Sequence, residues 1–187
     1  MTALLIVDVQ NDFLPSGSLA VDKGDEIIPF INQLMKKDFD LIVATKDWHP
    51  EDHCSFQTNK GEDQASWPVH GVQGTMGAKF PNTLDQEKIK KIFYKGTDSR
   101  VDSYSAFFDQ SKKRSTALHE YLQDKKIHHL TVVGLATDYC ILYTVLDALQ
   151  LGYEVCVLQK GVRAVNLKPE DGENALKMMG EKGAKID

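Results

Sequence analysis

The sequence predicts a three-layer α/β/α sandwich built on a mainly parallel sheet of five or six strands. Short runs rich in β-branched residues alternate with longer amphipathic segments, as in proteins made of strand–helix–strand crossovers. The short runs are continuously apolar, which is typical of parallel strands that are covered by helices on both faces. The runs that we interpret as strands are residues 3–9, 40–47, 90–96, 129–135 and 153–158.

Helical patterns fill the intervals between these strands. The segment 24–37 has an acidic cap and a proline that is tolerated in a first turn. The segment 115–126 opens on a serine, a common N-cap residue, and 138–151 has apolar residues at helical spacing. The segment 168–187 predicts a last helix and leaves room for a sixth strand at the terminus.

Size and composition indicate one domain, which we expect to span residues 1–187. The net charge is -5, and no run of lysine and arginine could follow a phosphate backbone, so we expect no nucleic-acid partner. We expect no membrane partner either, because no stretch resembles a membrane span or a signal peptide. Three cysteines without paired spacing favour a reducing compartment, hence the cytoplasm. Composition leaves the oligomeric state open, and a homo-oligomer is compatible with it.

Two predicted connections are longer than a plain crossover needs. Residues 46–88 and 96–114 carry little helical pattern, and loops of this length in a compact domain are usually functional. In an open parallel sheet, ligands bind beyond the carboxyl ends of the strands, near the point where the strand order reverses. Both loops leave from that edge of the sheet, and we therefore expect the functional site there.

Reactive side chains lie at the carboxyl ends of the predicted strands. Asp8 ends the first strand, Lys95 ends the third, and Cys140 follows the fourth at the start of a predicted helix. A thiol needs a base or a positive field to become a nucleophilic thiolate. Asp8 is the best candidate base, because the histidines fall at positions that suit other roles. We expect Lys95 and the helix dipole to lower the pKa of the Cys140 thiol.

Each of these residues also has a structural explanation. Cysteine is often a core residue, as we expect for Cys156. Asp8 could be a helix cap or a turn residue, and Lys95 could be a solvated charge at a strand end. Three reactive residue types at three strand ends nevertheless favour a catalytic site.

A second cluster comes from the loop that follows the second strand. Asp47 and His49 are two residues apart, and His53 and His70 follow in the same loop. Two imidazoles and a carboxylate make a common open site for zinc, and equally for iron or manganese. The alternative is that these are ordinary polar loop residues. His53 is the spare imidazole, which could orient a ligand or face solvent.

Five longer segments carry these residues in one order along the chain. They are DVQNDFLPSGSLAV (8–21), KDWHPEDHCSF (46–56), SWPVHGVQGTMGAKF (66–80), KGTDSRVDSYSAFFD (95–109) and GLATDYC (134–140). Together they closely resemble nicotinamidases, the metal-dependent branch of the isochorismatase-like cysteine hydrolases. The resemblance extends to about residue 165. The DVQNDF and TDYC motifs mark the wider superfamily, whereas the Asp-x-His, WPVH and DSYSAF motifs narrow it to nicotinamidases.

The resemblance implies a role for each candidate residue. It implies a catalytic triad of Asp8, Lys95 and Cys140. It implies one divalent metal ion, zinc first with iron or manganese as alternatives, held by Asp47, His49 and His70. The spacing between the two histidines varies among relatives, so His53 or Glu62 could replace or supplement a ligand.

The resemblance also implies how the substrate is held. It implies a cis peptide bond between Leu135 and Ala136, with the backbone amides of Ala136 and Cys140 as the oxyanion hole. It implies a pyridine pocket lined by Phe13, Leu19, Trp67 and Tyr104. Tyr139 occupies a position that differs among relatives, which leaves the fine substrate preference open.

The activity that the resemblance implies is hydrolysis of nicotinamide to nicotinate and ammonia through a cysteine thioester, in NAD salvage, with pyrazinamide as a further substrate. One alternative is another cysteine amidohydrolase of the same superfamily, or a metal-free vinyl ether hydrolase of the isochorismatase type. The vinyl ether hydrolases of the isochorismatase type lack the nucleophile, so Cys140 argues against them, and the predicted metal ligands argue against any metal-free relative. A second alternative is a non-catalytic module that binds a protein partner through this edge of the sheet.

Overall fold

The computed structural model describes residues 1–57 and 67–187 and contains a six-stranded sheet in the order β3-β2-β1-β4-β5-β6. Every neighbouring pair of strands is parallel. The predicted parallel sheet is confirmed, including its sixth strand. The strands are β1 (Thr2–Val7), β2 (Leu41–Asp47), β3 (Lys91–Lys95), β4 (His129–Leu135), β5 (Glu154–Arg163) and β6 (Lys185–Ile186).

Helices cover both faces of this sheet, because its central strands β1, β2 and β4 carry apolar side chains on both sides. Leu4 and Ile6 of β1 pack with the helix α1 (Ile27–Leu34). Ala3, Leu5 and Val7 pack on the opposite face. The three helices of that face are α2 (Leu118–Asp124), α3 (Leu142–Gln150) and α4 (Asp171–Glu181). The predicted three-layer sandwich is confirmed.

The boundaries of two elements differ from the prediction. Helix α2 begins at Leu118, so Ser115 is not its N-cap. The hydroxyl oxygen of Ser115 instead accepts a hydrogen bond from the amide of Ala117 at 2.9 Å, a local turn that competes with helix formation. Strand β5 runs past residue 158, because it pairs again with the end of β4 after an irregularity in register.

The path of the chain creates a switch in strand order beside β1. From β1 the chain moves to β2 and β3 on one side, and then crosses to β4, β5 and β6 on the other. The point of reversal therefore lies between β1 and β4, where ligands bind in sheets of this kind. A π-helical turn (Thr137–Ile141) separates β4 from α3 and carries Cys140 at this edge.

The long connections, residues 48–90 and 96–117, leave from the same edge of the sheet, as predicted. Among the residues described, none of the helices has both the length and the apolar character that crossing a membrane requires.

Candidate active site

Asp8, Lys95 and Cys140 lie together at the carboxyl edge of the sheet. The Nζ atom of Lys95 is 2.8 Å from Oδ2 of Asp8 and 3.3 Å from Sγ of Cys140. Side-chain atoms of Asp8 and Cys140 lie within 4.8 Å of each other. All three residues are buried, with exposed fractions of 0%, 2% and 7% in sequence order. The fold therefore brings together the three reactive residues that the sequence places at separate strand ends.

The carboxylate of Asp8 is held in a fixed orientation. The chain leaves β1 at Asp8 with a φ of 50°, a left-handed conformation that aspartate tolerates better than most residues. The hydroxyl of Thr45 on β2 donates to Oδ1 of Asp8 at 2.7 Å. The second oxygen is thereby left to face Lys95 and the sulfur atom.

Burial controls the acid–base chemistry of these residues. It raises the pKa of Asp8 in spite of the positive charge of Lys95. Burial also raises the pKa of the Cys140 thiol well above its usual range, again against the effect of Lys95. Lys95 lowers this pKa, as expected, but desolvation of the thiolate outweighs the stabilisation by one shared cation, and the net shift is upward. The resting sulfur is a neutral thiol, and a base beside it is required.

The pKa of Lys95 itself is raised well above its usual range. Burial opposes this shift, but the negative charges of Asp47 and Asp8 outweigh it. Lys95 also donates to the carbonyl oxygen of Ser103 at 3.1 Å. It therefore remains a fixed cation next to the sulfur.

Asp47, His49 and His70 form a second group that shares a wall with the first. Oδ2 of Asp47 is 3.7 Å from Nε2 of His49 and 3.9 Å from Nε2 of His70. Nδ1 of His49 lies 2.8 Å from the carbonyl oxygen of Gly96, and Nδ1 of His70 lies 2.7 Å from that of Pro68. Because a carbonyl can only accept, both rings donate through Nδ1 and direct Nε2 towards the carboxylate. This is the donor arrangement that a divalent cation requires.

The two imidazoles differ in their acid–base behaviour. Burial lowers the pKa of His70 to about 4. Burial acts in the same direction on His49, but the charge and hydrogen bond of Asp47 outweigh it, and the pKa of His49 is raised. The imidazole of His70 is thus neutral over the physiological range, and Asp47 is the group that attracts a positive charge to this cluster.

The close approach of His49 to the backbone requires a glycine at residue 96. Gly96 has a φ of 63°, and a Cβ atom at this position would collide with Cε1 of His49. Any other residue would push the imidazole away from the carbonyl that orients it.

Asp47 joins the two groups through its two carboxylate oxygens. Oδ1 accepts a hydrogen bond from Lys95, whereas Oδ2 faces the imidazoles. Burial raises the pKa of Asp47, but the charges of Lys95 and His49 outweigh it and hold the pKa below its usual range. The residue therefore stays ionised and is shared by both groups.

His53, the spare histidine, stacks on His49 with ring centroids 3.9 Å apart. Its Nδ1 lies 2.7 Å from the hydroxyl oxygen of Ser55, and burial lowers its pKa to about 3. His53, His49 and Asp102 also bring donor atoms within 4.8 Å of one another. His53 therefore lies against the predicted ligand set and not in solvent. Glu62 lies outside the described residues.

An apolar pocket opens above Cys140, with about 430 Å³ of empty space including the part that is open to solvent. The four residues that the resemblance assigns to a pyridine pocket all line it, together with Ala136 and Tyr139. The indole N–H of Trp67 donates to the hydroxyl of Tyr104 at 3.0 Å. The predicted lining residues are Phe13, Leu19, Trp67 and Tyr104, and those not predicted are Val21, Asp102, Leu135 and Val165.

No local sequence pattern marks Val165 as a pocket residue, because a distant side chain positions it. The carboxylate of Asp138 accepts hydrogen bonds from the amides of Val165 at 2.9 Å and Asn166 at 2.8 Å. For Asp102 the sequence contains a weak indication of a place in the pocket, because this residue precedes the predicted pocket residue Tyr104 by two positions. Burial raises the pKa of Asp102 within the pocket wall.

The peptide bond between Leu135 and Ala136 is cis, as the resemblance implies. The carbonyl oxygen of Ala136 accepts hydrogen bonds from the amides of Tyr139 at 3.1 Å and Ile141 at 3.0 Å. These two bonds fix the turn that carries Cys140.

Comparison with known proteins agrees with this geometry. A family model described as an isochorismatase domain matches residues 2–186. The nicotinamidase of Escherichia coli (strain K12) is 43% identical, over 98% of this chain and 93% of that protein. PnC1 from L. infantum, solved in complex with nicotinate, has a TM-score of 0.94 at 35% identity and covers 100% of this chain and 92% of its own. The pyrazinamidase of Pyrococcus horikoshii, solved in complex with zinc, has a TM-score of 0.86 at 41% identity, with 100% and 98% covered. The chain therefore belongs to the isochorismatase family, and within it to the nicotinamidases.

Proposed function

We propose that this protein hydrolyses nicotinamide to nicotinate and ammonia through a thioester on Cys140. The observation that carries this proposal is the contact of Lys95 with both the carboxylate of Asp8 and the sulfur of Cys140, which lines an apolar pocket. The E. coli relative is named a nicotinamidase, and the L. infantum structure holds nicotinate, the product of this reaction.

The pocket suits a small flat aromatic amide. Its wall is mostly apolar and aromatic, and its ionisable members are Asp47, His70 and Asp102 beside Cys140 and two tyrosines. We assign Phe13, Leu19, Trp67 and Tyr104 to contacts with the pyridine ring. The carboxamide carbon then has to approach Sγ of Cys140 for reaction.

The donor set fits a divalent cation, because two histidines direct Nε2 at an ionised carboxylate while their Nδ1 atoms are held by carbonyls. Asp47, His49 and His70 would hold the ion. Zinc is the first choice because the P. horikoshii relative was solved with zinc, and iron and manganese suit the same donors. A bound ion would act as a Lewis acid towards the aromatic substrate.

The first half of the reaction makes the thioester. Asp8 removes the proton of the Cys140 thiol, and the sulfur attacks the carboxamide carbon, while Lys95 stabilises the negative charge. We assign the amides of Ala136 and Cys140 to the oxyanion, a stabilisation of roughly 3 kcal/mol per donor. When the C–N bond breaks, Asp8 returns its proton to the departing amide nitrogen, and ammonia leaves.

The second half of the reaction hydrolyses the thioester. Asp8, again ionised, takes a proton from a water molecule that attacks the acyl carbon. Cleavage of the C–S bond regenerates the sulfur of Cys140, which recovers a proton from Asp8, and nicotinate is released. The raised pKa of Asp8 suits a group that must both accept and donate a proton in each cycle.

The direct test is ammonia release from nicotinamide by the purified protein, with and without added Zn²⁺. Cys140→Ala should reduce kcat by roughly 10⁴-fold or more, since the nucleophile is lost. Cys156→Ala is the matched control, because this free cysteine lies on β5, and it should retain activity. Substantial turnover by the Cys140→Ala protein would remove the thiol from the mechanism.

Pyrazinamide is a second candidate substrate, because a pyrazine ring has the size and shape of a pyridine ring and a relative is named a pyrazinamidase. Turnover of pyrazinamide beside nicotinamide and a non-aromatic amide would also separate this function from that of another cysteine amidohydrolase. We place the reaction in NAD salvage in the cytoplasm, where the three free cysteines would stay reduced.

A further inference from the structure

The segment Gln10–Asp12, which follows the proposed base, has no part in the chemistry described above. Gln10 is fully buried and its amide makes three hydrogen bonds. Nε2 donates to the carbonyl oxygens of Asp47 at 2.9 Å and Ala78 at 3.0 Å, and Oε1 accepts from the amide of Asp47 at 2.8 Å. One side chain therefore binds both the N–H and the C=O of Asp47.

Gln10 replaces a strand partner that the sheet does not provide. The pairing of β1 with β2 ends at Ile6 and Ala44, three residues before Asp47. On its other side Asp47 is paired with Lys95 of β3. Without Gln10, the inner backbone groups of Asp47 would be buried without partners, which is costly. The side-chain amide of Gln10 thus continues the hydrogen bonding between β1 and β2 as far as Asp47, the residue that contacts both Lys95 and the two imidazoles.

Asp12 fixes the loop that carries His70. Its Oδ2 accepts a hydrogen bond from the amide of Gly71 at 2.9 Å. The carbonyl of Gly71 in turn accepts from the amide of His49 at 2.8 Å. A Cβ atom on Gly71 would lie 2.8 Å from Cβ of Asp47, which shows how closely this loop packs on β2.

Asn11 and the backbone of Asp12 bind the remainder of the same loop. The side chain of Asn11 donates to the carbonyl of Met76 at 2.9 Å. The amides of Asn11 and Asp12 donate to the carbonyls of Lys79 at 2.9 Å and Gly77 at 3.0 Å. The segment thus contacts β2 and the loop after His70 at the same time.

We propose that Gln10 and Asp12 are positioning residues that hold the backbones of Asp47, His49 and His70 at the spacing that a divalent cation needs. This inference rests on the proposed assignment of those three residues as metal ligands. Neither residue binds the ion: Gln10 acts through the main chain of Asp47, and Asp12 acts through Gly71. Their loss should therefore lower metal affinity, because ligands that are no longer preorganised must be ordered on binding.

The test is the affinity of the metal-free protein for Zn²⁺, measured by chelator competition. Gln10→Met keeps the length of the side chain but removes all three hydrogen bonds, and Asp12→Ala removes the acceptor for Gly71. Both should weaken Zn²⁺ binding by roughly 10- to 100-fold. Asp12→Asn keeps an oxygen acceptor and should bind Zn²⁺ nearly as well as the wild type.

Asn32→Ala is the matched control for a general loss of stability. The amide of Asn32 holds another loop in the same manner, donating to the carbonyl of Thr83 at 2.8 Å and accepting from the amide of Asp85 at 2.9 Å. This variant should lower the melting temperature and leave Zn²⁺ affinity unchanged.

Wild-type Zn²⁺ affinity in the folded Gln10→Met and Asp12→Ala proteins would overturn the proposal, as would an equal loss in Asn32→Ala. If Gln10→Met does not fold, the difference between Asp12→Ala and Asp12→Asn decides the matter. A wild-type protein that binds no Zn²⁺ would also overturn it. Ammonia release measured on the same samples would then show whether the hydrolytic function fails as well.

Discussion

The triad group (Asp8, Lys95, Cys140) and the metal group (Asp47, His49, His70) meet at one pocket, which Cys140, Asp47 and His70 line, but they are positioned by different means. The triad residues lie at the ends of β1 and β3 and in the turn after β4, so the ladders of the sheet fix their spacing. The two histidines come from the connection between β2 and β3, beyond the ladders of the six-stranded sheet, where His49 makes an isolated parallel bridge with Val72. They are held by single hydrogen bonds to backbone carbonyls and by loop contacts with the segment 10–12.

This difference shows that a regular sheet can place only those residues that directly follow a strand. Residues further along a loop need side chains that replace the missing backbone partners, and those side chains become part of the site without touching the substrate. Asp47 is positioned in both ways, since it ends β2 in the sheet and its inner backbone groups bind the side chain of Gln10. It contacts both Lys95 and the imidazoles. Variants in the triad group and variants in the metal group should therefore have different effects on activity and on metal content.

The largest expected effect comes from breaking the triad while leaving the metal group intact. Asp8→Asn removes the proposed base, and kcat/KM for nicotinamide should fall by roughly 10³-fold. Zn²⁺ content, measured by elemental analysis, should stay at the wild-type level because Asp8 is outside the metal group. Normal turnover by this variant would require another base.

The pH profile of the wild-type enzyme gives an independent check on Asp8. Burial raises its pKa, so the carboxylate is protonated, and lost as a base, at a higher pH than an ordinary aspartate. Activity should therefore decline on the acid side beginning above about pH 4, the usual aspartate pKa. An acid limb that lies below this value would contradict the assignment.

Breaking the metal group should have the next largest effect. His49→Ala removes one of the three proposed ligands, and the purified protein should lose its metal. Activity should fall by roughly 10²-fold or more, since a Lewis acid contributes several kcal/mol. The rate at which a haloacetamide alkylates Cys140 should equal the rate in the wild type, because the triad group is unchanged. Metal retained at one equivalent by this variant would contradict the ligand set.

The smallest expected effect lies in the pocket wall that the two groups share. Trp67→Phe keeps an aromatic ring but removes the hydrogen bond to the hydroxyl of Tyr104. The loss of about 1 kcal/mol should appear as a rise of about fivefold in KM with kcat little changed. Tyr104→Phe, which removes the same bond from the other side, should behave alike. A large fall in kcat in both variants would indicate that this pair also orients the reacting amide.

Sequence reasoning predicted the parts of the molecule that depend on local pattern. Continuous apolar runs indicated the parallel strands, residues at the carboxyl ends of those strands indicated the triad group, and the histidines of one long loop indicated the metal group. The predicted start of α2 at Ser115 was wrong, because a serine that can cap a helix can equally accept a hydrogen bond within a turn that precedes it. The net upward shift of the Cys140 pKa was not predicted, because the burial that outweighs Lys95 depends on contacts between remote segments, which no local pattern records. Val165 and Gln10 were missed for the same reason, since their roles depend on contacts between remote segments.

The reversal of strand order beside β1 has a consequence for how such enzymes could be remodelled. The cleft arises where the chain departs in opposite directions from two adjacent strands, so it exists whatever side chains line it. The connection between β2 and β3 could therefore be replaced by one of different length or chemistry, and the cleft would remain. To obtain an amidase for another ring system, one could keep the sheet and Cys140 and replace two segments: the connection between β2 and β3, and the segment Gln10–Asp12 that anchors it.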